Sequence, residues 1–173
     1  MLREATKRSV VLCEATEGTR HIPRPPAIDL GSDFVTVLSV SPIQDDHDTL
    51  ERLLGRYNWE IRKANSLASG VAKLRQNQVP LVISERDLWP GTWREVLAEA
   101  ARSPVPPFLV VTSRFADEHL WAEALNIGAH DVLAKPFDVI EVTRVLSLAW
   151  LNWKNLHEMA GTPPTEVMAA TYR

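Results

Sequence analysis

The chain has 173 residues, with 19 basic and 22 acidic side chains and a net charge of -3. That length fits one domain with short extensions, and so even a charge balance argues against a dedicated binder of nucleic acid or of a membrane surface. The single cysteine, Cys13, excludes an internal disulfide and any multi-cysteine metal site and fits a reducing compartment. No apolar run approaches the roughly 20 residues of a bilayer span, and Val10–Cys13 is too short for the core of a signal peptide. The expectation is a soluble, cytoplasmic protein.

Residues 1–32 are polar, carry Pro23, Pro25, Pro26 and Gly31, and read as an arm or linker. Residues 33–157 alternate strand-like and helical patterns, and 158–173 form a tail in which Gly161, Pro163 and Pro164 stop the last helix. Strands are predicted at Phe34–Val40, Glu60–Ala64, Leu81–Glu85, Phe108–Thr112 and Asp131–Ala134. The first, third and fourth are nearly all apolar, as strands covered on both faces must be.

The helix starts carry strong signals. Ser41-Pro42-Ile43-Gln44 offers a capping serine, a proline at the first helical position and a capping-box glutamine. Thr92 with Glu95 and Asp138 with Glu141 repeat the pattern. Ser66 and Asp117 are further caps, and Gly128 closes the fourth helix. Strand and helix alternating over short links imply a parallel sheet between two helical layers. Chemistry in such sheets gathers at the carboxyl ends of the strands. There lie Ser41, Pro42, Glu85, Arg86, Asp87, Thr112, Ser113 and Lys135.

Two stretches give a family likeness: Leu109-Val110-Val111-Thr112, and Gly128-Ala129-His130-Asp131-Val132-Leu133-Ala134-Lys135-Pro136-Phe137. Over residues 34–155 the chain resembles the receiver domains of bacterial two-component response regulators. The resemblance implies a flavodoxin-like, doubly wound α/β fold with strand order 2-1-3-4-5, two helices on one face and three on the other. It also implies a site at which an aspartate accepts a phosphoryl group, with Mg²⁺ held by three carboxylates and the phosphoryl oxygens met by a lysine and a hydroxyl.

Laid on this chain, the lysine and hydroxyl are Lys135 and Thr112. The acidic pair, however, falls on Ser41 and Pro42, the acceptor on Glu85, and the switch aromatic on Val132. One acid facing one amine leaves no net negative charge for a divalent cation, so no metal and no cofactor are expected. Glu85 should reach towards Lys135, either as a built-in mimic of an acyl phosphate or as a plain ion pair. Asp45 and Asp46 read as a solvated first helical turn and Asp87 as a turn residue, rather than as relocated metal ligands.

Trp93 and Trp121 read as core, and Trp89 as a candidate lid over the vacant pocket. In the last helix Val142, Val145, Leu146, Ala149, Trp150 and Trp153 follow helical spacing. Some 20 residues of helix outrun one layer of such a domain, so Trp150, Trp153 and Leu156 form a candidate contact surface, unless the arm or tail covers it. His21, His47, His119, His130 and His157 lack metal-ligand spacing. A hydrolase built from Ser41, His47 and Asp45 lacks a nucleophile elbow.

The leading expectation is therefore a non-enzymatic, degenerate receiver that signals by protein contact, with a partner or as a homodimer, without aspartyl phosphorylation. The alternatives are a phosphorelay receiver using Asp45, Asp46 or Asp87, and a structural docking domain. No effector domain follows the receiver-like part, so output is expected to pass through a partner chain or self-association.

Overall fold

In the computed structural model, residues 34–161 are described. The predicted arm and tail, with Cys13 and His21, lie outside them. Strands β1 (Val35–Val40), β2 (Trp59–Ala64), β3 (Leu81–Glu85), β6 (Phe108–Ser113) and β7 (Asp131–Ala134) form one sheet in the order β2-β1-β3-β6-β7. All its pairings are parallel. With the small hairpin β4 (Asp87–Leu88) and β5 (Gly91–Thr92) set aside, this is the 2-1-3-4-5 order expected.

The helices are α1 (Gln44–Leu54), α2 (Leu67–Gln76), α3 (Trp93–Ala100), α4 (Glu118–Ile127) and α5 (Val139–Gly161). Strand parity assigns each side chain to a face. Val35, Val37, Leu81, Ile83, Val110 and Leu133 pack with Leu50 and Leu54 of α1 and Val142, Val145, Leu146 and Ala149 of α5. Leu38, Val40, Val82, Leu109, Val111 and Val132 pack on the other face with Trp93 and Val96 of α3 and Leu120 and Ala124 of α4, and Leu67 and Leu74 of α2 press against them. Two helices thus cover one face and three the other. Trp93 is fully buried and Trp121 packs against the same core.

Most of the predicted caps form. Ser66 and Ser69 close a capping box on α2, and Thr92 and Glu95 close one on α3. Asp117 accepts from Leu120 N–H at 2.8 Å, and Asp138 from Ile140 and Glu141 N–H at 2.9 Å. Gly128, at φ 107°, sits in the left-handed conformation that ends α4.

The first cap is a correction. Helix α1 begins only at Gln44, behind Ile43, with no side chain capping it. Ser41 is engaged elsewhere: its hydroxyl accepts from Ile43 N–H at 3.1 Å and donates to Asp46 at 2.5 Å. Ser41 and Pro42 therefore form the link out of β1 rather than the first turn of the helix.

Candidate functional site

Parity along three strands builds the site. Glu85 follows Leu81 and Ile83 on the α1/α5 face, Thr112 follows Phe108 and Val110, and Lys135 follows Leu133. All three emerge at the carboxyl rim of neighbouring strands, with Glu85 registered against Thr112. Arg86 N–H bonds Thr112 C=O at 2.9 Å, and Lys135 N–H bonds Ser113 C=O at 2.9 Å, which locks the rim backbone together.

The Lys135 ammonium donates to Glu85 Oε2 and also to Asp46 Oδ2. The three side chains are about nine-tenths buried: 6% exposed for Lys135, 10% for Asp46 and 11% for Glu85. Thr112 Oγ1 lies 3.5 Å from Glu85 Oε2 and 3.4 Å from Ser84 C=O. The Phe137 ring centroid is 5.7 Å from the ammonium, near enough to add a cation–π contribution.

Asp46 overturns the reading of a solvated first turn: it is 7% exposed and belongs to the site. The charge count changes with it. Two carboxylates face one ammonium, so the cluster carries a formal charge of −1 rather than the expected zero. That excess still does not suit Mg²⁺, which needs oxygen ligands free to close around it. The position between the two acids is already taken by the Lys135 ammonium, which bonds both. Among the described residues no group of three or more potential metal ligands gathers anywhere.

Asp45 stays exposed. It lines a cavity of about 330 Å³ above the cluster, together with Asp46, Thr49, Arg114, Lys135 and Phe137. Asp87 turns away from the pocket and accepts from Arg86 at 2.7 and 2.9 Å in the first strand of the hairpin. Pro42 is exposed beside the site and offers no side-chain ligand. Val132 is fully buried in the opposite core, a small aliphatic residue with nothing to present to the pocket.

Beneath the cluster lies His47, which is fully buried. Its Nε2 is 3.0 Å from Ser41 C=O, and a carbonyl only accepts, so Nε2 carries the hydrogen. Its Nδ1 lies within hydrogen-bond distance of the Ser39 hydroxyl, 2.8 Å away. A single polar chain thus runs from β1 through α1 into the pocket. The imidazole meets the backbone of Ser41, not its hydroxyl, and Asp45 is exposed where His47 is fully buried, so Ser41, His47 and Asp45 are not arranged as a hydrolytic triad.

One other expectation is corrected, and one left open is narrowed. Trp89 is no lid: it is 92% exposed at the tip of the β4–β5 hairpin, and the pocket is closed instead by its own ion pairs. Trp153 is only 8% exposed, although it lies in the last turns of α5. It continues the buried stripe of Leu146 and Ala149, and its ring stacks on Trp150 at 5.5 Å and on His157 at 4.8 Å. Leu156 remains 54% exposed. Helix α5 runs to Gly161, the first of the residues expected to stop it.

No family model matches the sequence, and no curated protein matches it either. Solved structures do match. The signal receiver domain of an HD domain-containing protein from Pseudomonas fluorescens superposes with a TM-score of 0.67 at 22% identity, covering 76% of this chain and 97% of that one. A response regulator receiver domain protein from Clostridium thermocellum gives 0.61 at 18% identity, over 73% and 99%. NtrX from Brucella abortus, crystallised with ADP, gives 0.67 at 20%, over 78% of this chain and 31% of its own. The chain has the fold of response-regulator receiver domains. Among the described residues no helix is long and apolar enough to cross a membrane.

Proposed function

We propose that this chain is a degenerate receiver: a signal-transduction module that acts through protein contact and does not take up a phosphoryl group. The observation that carries this reading is the Lys135 ammonium bonded to Asp46 and Glu85 together. Glu85 stands where the resemblance puts the acceptor aspartate, and its carboxylate is engaged by a buried cation. Attack on a phosphodonor would need that carboxylate free, and its ion pair with Lys135 supports the reading that it is held instead. The Glu85–Lys135 pair instead fixes the rim in one state, which a partner reads directly.

The entry of Asp46 into the site is the one observation favouring a working phosphoacceptor. It raises the carboxylate count, but both carboxylates are engaged by one lysine. Intact-mass measurement after incubation with acetyl phosphate and Mg²⁺ decides between the two. An unchanged mass is expected, and a stable added phosphoryl group that is lost in Glu85→Gln, Asp45→Asn, Asp46→Asn or Asp87→Asn would overturn the proposal.

A further inference from the structure

The cavity above the ion-paired cluster measures about 330 Å³, at the lower end of the range for small-molecule sites. Two opposite charges line it without a partner. Asp45, in the first turn of α1, and Arg114, just past the end of β6, are both exposed. Among the described residues neither side chain makes an ion pair or a hydrogen bond, with the other or with anything else.

The floor of the same cavity is different. Lys135 and Asp46 line it too, but they are bonded to each other, and Lys135 is bonded to Glu85 as well. Their charges are spent within the cluster, which keeps its excess of one acid. Thr49 adds a hydroxyl to the wall and Phe137 an apolar ring.

These charges select the occupant. An inorganic anion drawn to Arg114 would lie beside Asp45 and above a cluster with an excess of acid. A metal cation drawn to Asp45 would meet Arg114 and the Lys135 ammonium. A molecule that carries both signs a few bonds apart suits both ends. Its carboxylate matches the fork of the Arg114 guanidinium, and its ammonium matches Asp45, where the excess acid of the floor adds to the attraction. Two acids and two bases line the cavity, so a ligand without net charge leaves that balance undisturbed.

We propose that this cavity binds a free α-amino acid as the zwitterion, with its carboxylate on Arg114, its ammonium on Asp45 and an apolar side chain against Phe137. The proposal rests on the reading above in one respect: Lys135 stays engaged by Asp46 and Glu85 and does not come free to meet an acyl phosphate. Both binding charges are exposed, so solvent weakens them, and the expected affinity is micromolar to millimolar.

The test is a thermal-shift measurement on the full chain with each proteinogenic amino acid in turn at millimolar concentration. A ligand that binds only the folded state raises the melting midpoint. At least one amino acid with an apolar side chain should do so. Its amide, which lacks the carboxylate, and its N-acetyl form, which lacks the ammonium, should not. In titration calorimetry Arg114→Gln and Asp45→Asn should each weaken the best ligand at least tenfold. Discrimination should be lost selectively. Arg114→Gln should bind the amino acid and its amide alike, and Asp45→Asn should bind the amino acid and its N-acetyl form alike. Both positions are exposed, and circular dichroism checks that the variants keep the fold.

No stabilisation by any free amino acid would overturn the proposal, as would binding indifferent to the capping groups or to both substitutions. The same stabilisation by inorganic phosphate alone or by Mg²⁺ alone would also overturn it, since the cavity would then hold a simple ion. The mass measurement above is independent: an added phosphoryl group removes the contact-only function, whereas absent amino-acid binding with an unchanged mass removes only this ligand.

Discussion

Asp46 and Lys135, 89 positions apart in the chain, form a buried ion pair that ties the first turn of α1 to the end of β7. The same ammonium holds Glu85 of β3. The triad therefore clamps three elements at one point, and it does so with an excess of acid.

Removing the shared cation should be costly. In Lys135→Met two buried carboxylates face each other without compensation, and the expected loss of stability is about 3–5 kcal/mol. Glu85→Gln keeps the shape and leaves Lys135 with Asp46, so its loss should be smaller, about 1.5–3 kcal/mol. Urea unfolding of both variants checks the ordering. Equal losses would mean that the lysine is not shared as described.

Gly70 of α2 lies against β1 so closely that an added Cβ would stand 2.9 and 3.0 Å from the two γ-carbons of Val40. Gly70→Ala should destabilise the protein by about 1–3 kcal/mol through overpacking. Val40→Ala removes those carbons, so the double variant should be more stable than the sum of the two single losses implies. A double-mutant cycle by denaturant unfolding measures that coupling.

Gly128 presents the opposite case. Nothing lies within 4 Å of an added Cβ, but its φ is 107°. Gly128→Ala therefore meets only backbone strain, about 1–2 kcal/mol, and Gly128→Asn should cost less because asparagine tolerates the left-handed region better. Thermal melts of the two variants should rank Asn above Ala.

His130 should make stability pH-dependent. Burial against the Phe108 ring, 4.8 Å away and nearly parallel, pushes its pKa below 6.5, and the nearby Asp131 opposes that shift more weakly. The unfolded chain then binds the proton more readily than the folded one. Stability is intact above pH 6.5 and falls as the pH drops from there towards the folded-state pKa. The midpoint of thermal unfolding of the wild type should decline more steeply from pH 7 to 5 than that of His130→Gln.

The sheet was legible because its strands are buried on both faces. Leu81–Ile83 and Leu109–Val111 read as unbroken apolar runs, and the caps at Ser66, Thr92, Asp117 and Asp138 mark where the chain leaves the strands. The hairpin at Asp87–Thr92 was not legible: two residues per strand carry no period, and its Pro-Gly reads as an ordinary loop.

Asp46 was misplaced for a different reason. A carboxylate in a first helical turn satisfies the helix dipole equally well pointing outwards, and its partner is remote in sequence. Yet a signal was present. Asp46, Leu50 and Leu54 fall at i, i+4 and i+8, and all three are buried on one stripe of α1. The burial of Trp153 was written in the same way, four residues after Ala149. The exposure of Trp89 left no such trace, since it depends on which way a two-residue turn projects.

Thr92 serves two elements at once, as the last residue of the hairpin and as the cap of α3. The hairpin and the helix consequently share one residue, whose hydroxyl accepts from Arg94 N–H and donates to Glu95. Losing that one hydroxyl would loosen the end of the hairpin and the start of α3 together, so two neighbouring elements stand or fall on a single oxygen.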